Sequence, residues 1–247
     1  MMGFPGCSTY CLMDRPLDEA LALLAAETNL VEVLSDSLHT LFVHQEVCDS
    51  FDLAYTVHAP TTDINLAAAN ESMRHASVEV IADLARICDE VGACRLVVHP
   101  GFCMEPFLWQ ASEQALFRSL HDLAALQDEV SVVLAVENMG SWTCCHFRDP
   151  ALLPVLDDLG LGFVLDVGHA ALTGTLETFL TEGRPVHLHL HDNDGVNDLH
   201  AACGSGSIDF SAVMAAVPSS ATAVVEVLDP RAVRPSLDYL QGKKKRA

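Results

Sequence analysis

Short apolar runs recur along this chain, each closing on a polar, metal-ligating residue type. The runs are YTVH (55–58), RLVVH (95–99), VVLAVE (132–137), GFVLD (162–166), VHLHLH (186–191) and AVVEV (223–227). Two more, GCSTY (6–10) and LVEVL (30–34), precede them. Runs of this length rich in Val, Leu and Ile predict buried strands. Between them lie stretches with apolar residues every three to four positions, the period of a helix packed on one face. In 70–90 that stripe is Met73, Ala76, Val80, Leu84 and Ile87. Further helices are predicted over 16–26, 112–127, 149–159, 175–182, 210–217 and 231–240, with one more in 36–51. Asp14 before Pro16 is a helix-opening signal.

Eight strand–helix units in this order imply a parallel sheet with right-handed crossovers. In 247 residues they fit one α/β domain, a closed (β/α)₈ TIM barrel. An open doubly wound sheet is the rival, but no GxGxxG turn follows the first strand. The expected organisation is a barrel over 1–242 and a basic, disordered tail, GKKKRA, ending the chain with 243–247 as its last residues.

In such a barrel the strand C-termini meet at one rim, where active sites form. His58, His99, Glu137, Asp166, His169, His189, Asp198, His200 and Glu226 all fall at or just past strand ends. His and carboxylate side chains are the usual ligands of zinc, manganese and related ions. Asp166-Val-Gly-His169 is the strongest local motif, although an Asp there can also be a turn cap. His187, His189 and His191 alternate onto one strand face, where buried imidazoles need partners; one is expected to bind metal and the others to support it. Asp198-Leu-His200 can clamp one ion from a loop. His58 and His99 occupy matching positions, each followed by proline within two residues. Glu137 and Glu226 end apolar strands, so each needs a cation or must be held neutral, and together they can form an acid/base pair. The other histidines (39, 44, 75, 121 and 146) are expected on the surface, with Trp142 and Arg148 near the rim.

Composition narrows the chemistry. Acidic residues number 34 against 13 basic ones, and the formal net charge is −21. The only lysines are Lys243, Lys244 and Lys245, which removes Schiff-base and P-loop mechanisms for the body of the chain. So acidic a surface disfavours DNA as a partner. Nine cysteines without a CxxC pair argue against a disulfide framework or a cysteine zinc site. No apolar stretch reaches the ~20 residues of a membrane span, and no signal peptide is visible, so a cytoplasmic protein with no membrane partner is expected.

With VHAP, VVHPG, VENM, LDVGHA, HLHDNDG, DLH, GSGSID and VVEV in order, the chain resembles the xylose isomerase-like TIM barrels. These include endonuclease IV (AP endonuclease family 2) and sugar phosphate isomerases and epimerases. In the epimerase branch, the resemblance implies one Mn²⁺- or Co²⁺-like ion on Glu137, Asp166, His189 and Glu226, with Glu137 and Glu226 exchanging protons with substrate. In the endonuclease IV branch it implies up to three zinc ions. His58, His99 and Glu137 would hold the first. Asp166, His189, Glu226 and a bridging Glu137 would hold the second, and His169, Asp198 and His200 the third. The first-strand segment GCSTYCLMD is closer to the isomerase-type members. Three readings follow in order of preference: hydrolysis of a phosphoester (abasic-site DNA or a smaller one) at a multinuclear zinc-type centre, sugar isomerisation or epimerisation at one ion, and metal binding without turnover.

Overall fold

All eight apolar runs become strands: β1 (Gly6–Ser8), β2 (Leu30–Leu34), β3 (Ala54–His58), β4 (Arg95–Val98), β5 (Val133–Glu137), β6 (Gly162–Asp166), β7 (His187–Leu190) and β8 (Thr222–Val225). In the computed structural model, which describes residues 5–242, they close in sequence order into one barrel. Every pairing is parallel, including β1 with β8. The expected tail at 243–247 lies outside the described residues.

Around the barrel run α1 (Leu17–Ala25), α2 (Leu41–His44), α3 (Glu71–Val91), α4 (Trp109–Gln127), α5 (Leu153–Asp158), α6 (Val167–Thr173), α7 (Leu176–Glu182), α8 (Phe210–Ala216) and α9 (Val233–Leu240). The expected helix over 36–51 is instead three short helical pieces, 37–39, 41–44 and 45–50. The first strand stops at Ser8 rather than residue 10, because the Ser8 hydroxyl caps a 3₁₀ turn over Thr9–Leu12. The sequence pattern also missed α6, whose first turn is the DxGH motif itself.

The buried stripe of α3 differs from the expected one. Met73 is exposed, and the buried residues are Arg74, Ser77, Ile81, Leu84, Ala85 and Cys88. Arg74 can be buried because Glu71 and Asp122 flank its guanidinium at 2.7 and 2.5 Å, tying α3 to α4. A charged residue with two acidic partners thus displaces an apolar one from the core face.

Alternation along the strands divides their side chains between two layers. Outward residues such as Val33, Val57, Leu96, Leu134, Val136, Leu165, Leu188 and Val225 join the helices in the main core. Inward, the filling is unusual for this architecture, whose interior is normally branched and aliphatic. Val97, Ala135 and Val164 form a small separate apolar cluster. Glu32, Thr56, His58, Glu137, Asp166, His187, His189 and Glu226 are buried among the other inward-facing positions. The register keeps them at matched heights: Glu32 lies beside Thr56, and Asp166 beside His189.

Candidate metal centre

The nine rim residues converge. Glu137 is the hub: one carboxylate oxygen lies 3.0 Å from His58 Nε2 and 3.3 Å from His99 Nε2, while the other lies 3.2 Å from His189 Nδ1. Its two oxygens therefore address two different donor sets. His189 Nδ1 is also 3.5 Å from Glu226 and 3.8 Å from Asp166. A third set lies beside these: His169 Nε2 is 3.0 Å and His200 Nε2 3.6 Å from the same Asp198 oxygen. Donor atoms within each set are close enough to share an ion, the third set gaining His191.

Local structure fixes these side chains. Asp166 is both things its motif allowed. It caps α6, one oxygen accepting the His169 backbone N–H at 2.6 Å, and it faces the donor sets. Asn138 clasps its backbone on both sides, donating to the Asp166 carbonyl and accepting its N–H. Gly168 must lack a side chain, since a Cβ there would sit 2.1 Å from the His191 ring. The loop bearing Asp198 and His200 is held by Asp192, which accepts backbone N–H groups from Gly204 and Gly206 and pairs with Ala201. His200 itself adopts a left-handed backbone, φ 43°. A non-glycine residue held there costs about 1–3 kcal/mol, strain that the surrounding fold sustains at functional sites. His200 Nδ1–H donates to the Glu226 carbonyl at 3.0 Å and His169 Nδ1–H to the Asn138 carbonyl at 3.0 Å, leaving each Nε2 toward Asp198.

Electrostatics reinforce the geometry. Burial disfavours a charged Glu137, but His189, His58 and His99 outweigh it and hold the carboxyl well below the usual range. Burial likewise works against a charged His169, yet Asp166, Asp198 and Glu137 lift it to about 10. His200 is lifted to about 9 against burial, chiefly by Asp198 and Glu226. Burial dominates at His99 and lowers it despite Glu137. Carboxylates thus alternate with the raised imidazoles of His58, His169, His189 and His200, with His99 the exception. Two buried atoms in the third set, His191 Nδ1 and Asp198 Oδ1, have no hydrogen-bond partner. A set of neutralisable imidazoles and carboxylates with unmet donor capacity fits hard or borderline divalent ions.

The centre opens into a cavity of about 940 Å³, within the size range of small-molecule sites. Tyr10, Phe102, Met104, Met139, Trp142 and Val196 form much of its wall, and among the described residues no Lys or Arg lines it. Trp142 is 72% exposed at the mouth. Burial, then Glu226 and Asp198, raise the Tyr10 phenol, which keeps its proton and can donate a hydrogen bond into the cavity. Arg148, expected near the rim, donates to the carbonyl of Gly140, a residue of the cavity wall.

Two of the histidines expected on the surface are buried. His39 lies under the first turn, 3.0 Å from the Arg15 carbonyl, and His146 is 2.9 Å from Ser112 Oγ under the Trp109 ring. Burial lowers His146 to about 4, so it stays neutral. The reverse omission is Glu32, which is fully buried within 3.0 Å of both His187 and His189. Its signal was present in LVEVL, a lone acid in an apolar strand, the same argument that picked out Glu137 and Glu226. The nine cysteines are free thiols, and no helix among the described residues is long and apolar enough to cross a membrane.

An eight-stranded parallel barrel with a carboxylate–imidazole centre at its C-terminal rim is the class this architecture defines. The sequence profile described as "Xylose isomerase-like TIM barrel" matches residues 43–242, and the chain belongs to that family. An uncharacterized protein of Methanocaldococcus jannaschii is 34% identical over 212 residues, 83% of this chain and 84% of the relative. A Mycobacterium tuberculosis protein named "Probable endonuclease 4" is 29% identical over 68% of this chain and 70% of its own length. Among solved structures, a D-tagatose 3-epimerase-like protein superimposes with TM-score 0.86 at 25% identity, covering 96% of both chains. A Thermus thermophilus protein soaked with ZnCl₂ gives TM-score 0.77 at 25% identity over 99% of both chains. The family's neighbours thus span an endonuclease and sugar epimerases, both enzymes.

Proposed function

We propose that this protein is a metal-dependent hydrolase of a small phosphoester, with zinc-type ions held by the three donor sets. The carrying observation is the arrangement of Glu137, whose two oxygens face two sets, beside a complete third set of His169, Asp198 and His200. Single-ion epimerisation has no use for that third set. His58, His99 and Glu137 would hold one ion; Glu137, Asp166, His189 and Glu226 a second; His169, Asp198 and His200 a third. When bound, such ions polarise phosphoryl oxygens, activate water and stabilise a leaving oxygen.

The chain's own residues then have defined tasks. Glu137 and Asp166 set the spacing between donor sets, and the α6 cap keeps Asp166 from rotating. Glu226 and Glu137 accept or return a proton beside the reacting atoms. Tyr10 donates a hydrogen bond to a substrate oxygen, and Phe102, Met104 and Trp142 cover the substrate's apolar part and exclude water. Because no Lys or Arg among the described residues lines the cavity, a phosphate group finds positive charge from them only at the metal and imidazole groups. A long polyanion would meet repulsion outside it from a surface of net charge −21, which favours a small phosphoester over duplex DNA.

A second reading, epimerisation of a sugar or sugar phosphate at one Mn²⁺- or Co²⁺-like ion, is favoured by one observation. Glu137 and Glu226 approach the same imidazole nitrogen, His189 Nδ1, at 3.2 and 3.5 Å, as a two-carboxylate proton exchanger requires.

Metal analysis of protein purified without chelator separates the two. The expected result is about three ions per chain, falling by about one in His200→Ala, with hydrolysis of a chromogenic phosphodiester that is lost on chelation. About one ion per chain, unchanged in His200→Ala, together with solvent-deuterium exchange into a ketose, would overturn the hydrolase and establish the epimerase.

A further inference from the structure

Beneath the rim, inside the barrel, lies a second acid–imidazole group that the proposed chemistry does not use. Glu32 on β2, Thr56 on β3, and His187 and His189 on β7 are all fully buried. The Thr56 hydroxyl donates to one Glu32 oxygen at 2.9 Å, and His187 Nε2 approaches that same oxygen at 3.0 Å. On its far side, His187 Nδ1 meets the Thr222 hydroxyl at 2.6 Å. The other Glu32 oxygen lies 3.0 Å from His189 Nε2. Apart from these approaches, Glu32 Oε1, His187 Nε2 and His189 Nε2 have no hydrogen-bond partner.

His189 thus stands between two carboxylate environments. Its Nδ1 points up to Glu137, Glu226 and Asp166, and its Nε2 points down to Glu32. A neutral imidazole has one lone pair and one N–H, so its use as a metal ligand through Nδ1 requires the proton on Nε2. Something must hold that proton, or the ring turns or takes the other tautomer. Glu32 is the only acid within reach of Nε2 among the described residues. It is anchored by Thr56 and His187, and a buried carboxylate with no cation of its own would be costly there.

We propose that Glu32 is a positioning residue: it accepts the His189 Nε2–H and so fixes the ring with its Nδ1 lone pair toward the donor set formed with Glu137, Asp166 and Glu226. This rests on the metal-centre reading above. Thr56, His187 and Thr222 act through Glu32, restricting its rotation. An ion seated among Glu32, His187 and His189 is the competing arrangement. It would require His189 to serve two ions with both nitrogens, hence to lose both ring protons.

The test uses the full chain loaded with Zn²⁺ or Co²⁺. In Glu32→Gln, which keeps the size and removes the charge, Zn²⁺ measured by chelator competition should be held ~10–100-fold more weakly, the range for partners that orient a ligand. In the Co²⁺ form, the far-shifted exchangeable ring N–H resonance that disappears in His189→Gln should move in Glu32→Gln, while those of the other ligand histidines stay in place. Unchanged Zn²⁺ affinity and an unmoved resonance overturn the proposal. So does loss of one ion per chain in both Glu32→Gln and His187→Gln, which would mark an ion seated among those residues. Should Glu32→Gln not fold, Glu32→Asp, which keeps the charge but shortens the reach, is read the same way. A wild-type chain that takes up neither ion overturns the metal-centre reading itself, whereas a metal-binding wild type with an indifferent Glu32→Gln overturns only the role of Glu32.

Discussion

Two buried carboxylates, Glu137 at the barrel rim and Glu32 within it, have nearly the same surroundings and very different prospects. Each is fully or almost fully buried, each is flanked by imidazoles within 3.3 Å, and burial is outweighed at each by histidine so that the acid stays ionised. The difference lies in what surrounds the pair. Around Glu32 the two oxygens face Thr56, His187 and His189, and none of these residues lines the rim cavity. Glu137 borders a cavity of about 940 Å³ and shares its oxygens between two donor sets that open onto it. A perturbed acid therefore marks a site only when it also has access. Electrostatic perturbation alone would rank the two as equals.

The strongest way to break that distinction is Glu137→Gln. If Glu137 bridges two donor sets, the substitution lowers hydrolysis by more than ~100-fold, beyond the range for residues that only support a ligand, and lowers metal content by more than one ion. A loss no greater than that of Glu32→Gln, measured side by side, would show that the two carboxylates are equivalent. Next in size is metal removal. Ligands that bind only the folded state at 1,000 times their Kd add about 4 kcal/mol, which for a chain of this length is on the order of 10 °C in Tm. Calorimetry with and without chelator checks this, and restored Zn²⁺ should return the lost stability.

The protons of the rim sharpen the contrast further. His169 and His200 are lifted to about 10 and about 9 from an ordinary 6.5. Groups raised on folding stabilise the metal-free protein fully below pH ~6.5, and that contribution disappears as pH climbs through 9 to 10. Metal binding must expel the same protons, so Zn²⁺ affinity should rise over the interval in which metal-free stability falls. Paired titrations of Tm and of Zn²⁺ affinity between pH 6.5 and 10 test the opposed slopes; parallel slopes would remove the rim histidines from the donor sets.

Much of this was legible in the chain, for a reason that also explains the gaps. Period-two alternation on short apolar runs fixes which residues face into a closed barrel, and the rim follows from strand direction. His58, His99, Glu137, Asp166, His189 and Glu226 could thus be gathered without knowing any distance. Asp198 and His200 lie in a loop whose path depends on Asp192 gripping Gly204 and Gly206, a tertiary contact with no local signature. Glu32 was passed over because it sits in mid-strand, below the rim. His39 and His146 were misplaced because a single carbonyl or hydroxyl partner, supplied from 24 or 34 residues away, is enough to bury an imidazole. The stripe of α3 shifted for the same kind of reason, through the acidic partners of Arg74.

The smallest expected effect lies at the cavity mouth. Trp142 is 72% exposed and contributes to the wall without touching the donor network. Trp142→Ala should leave Tm nearly unchanged, within about 0.5 kcal/mol of wild type, and leave metal content and kcat intact. Its expected consequence is a KM raised about 10-fold for substrates carrying an apolar or planar group, because the contact is made equally in the ground and transition states. For inorganic or methyl phosphoesters the KM should stay where it was. If both substrate classes respond alike, the apolar wall acts on the fold of the rim and not on the substrate, and access to the centre would have to be governed elsewhere.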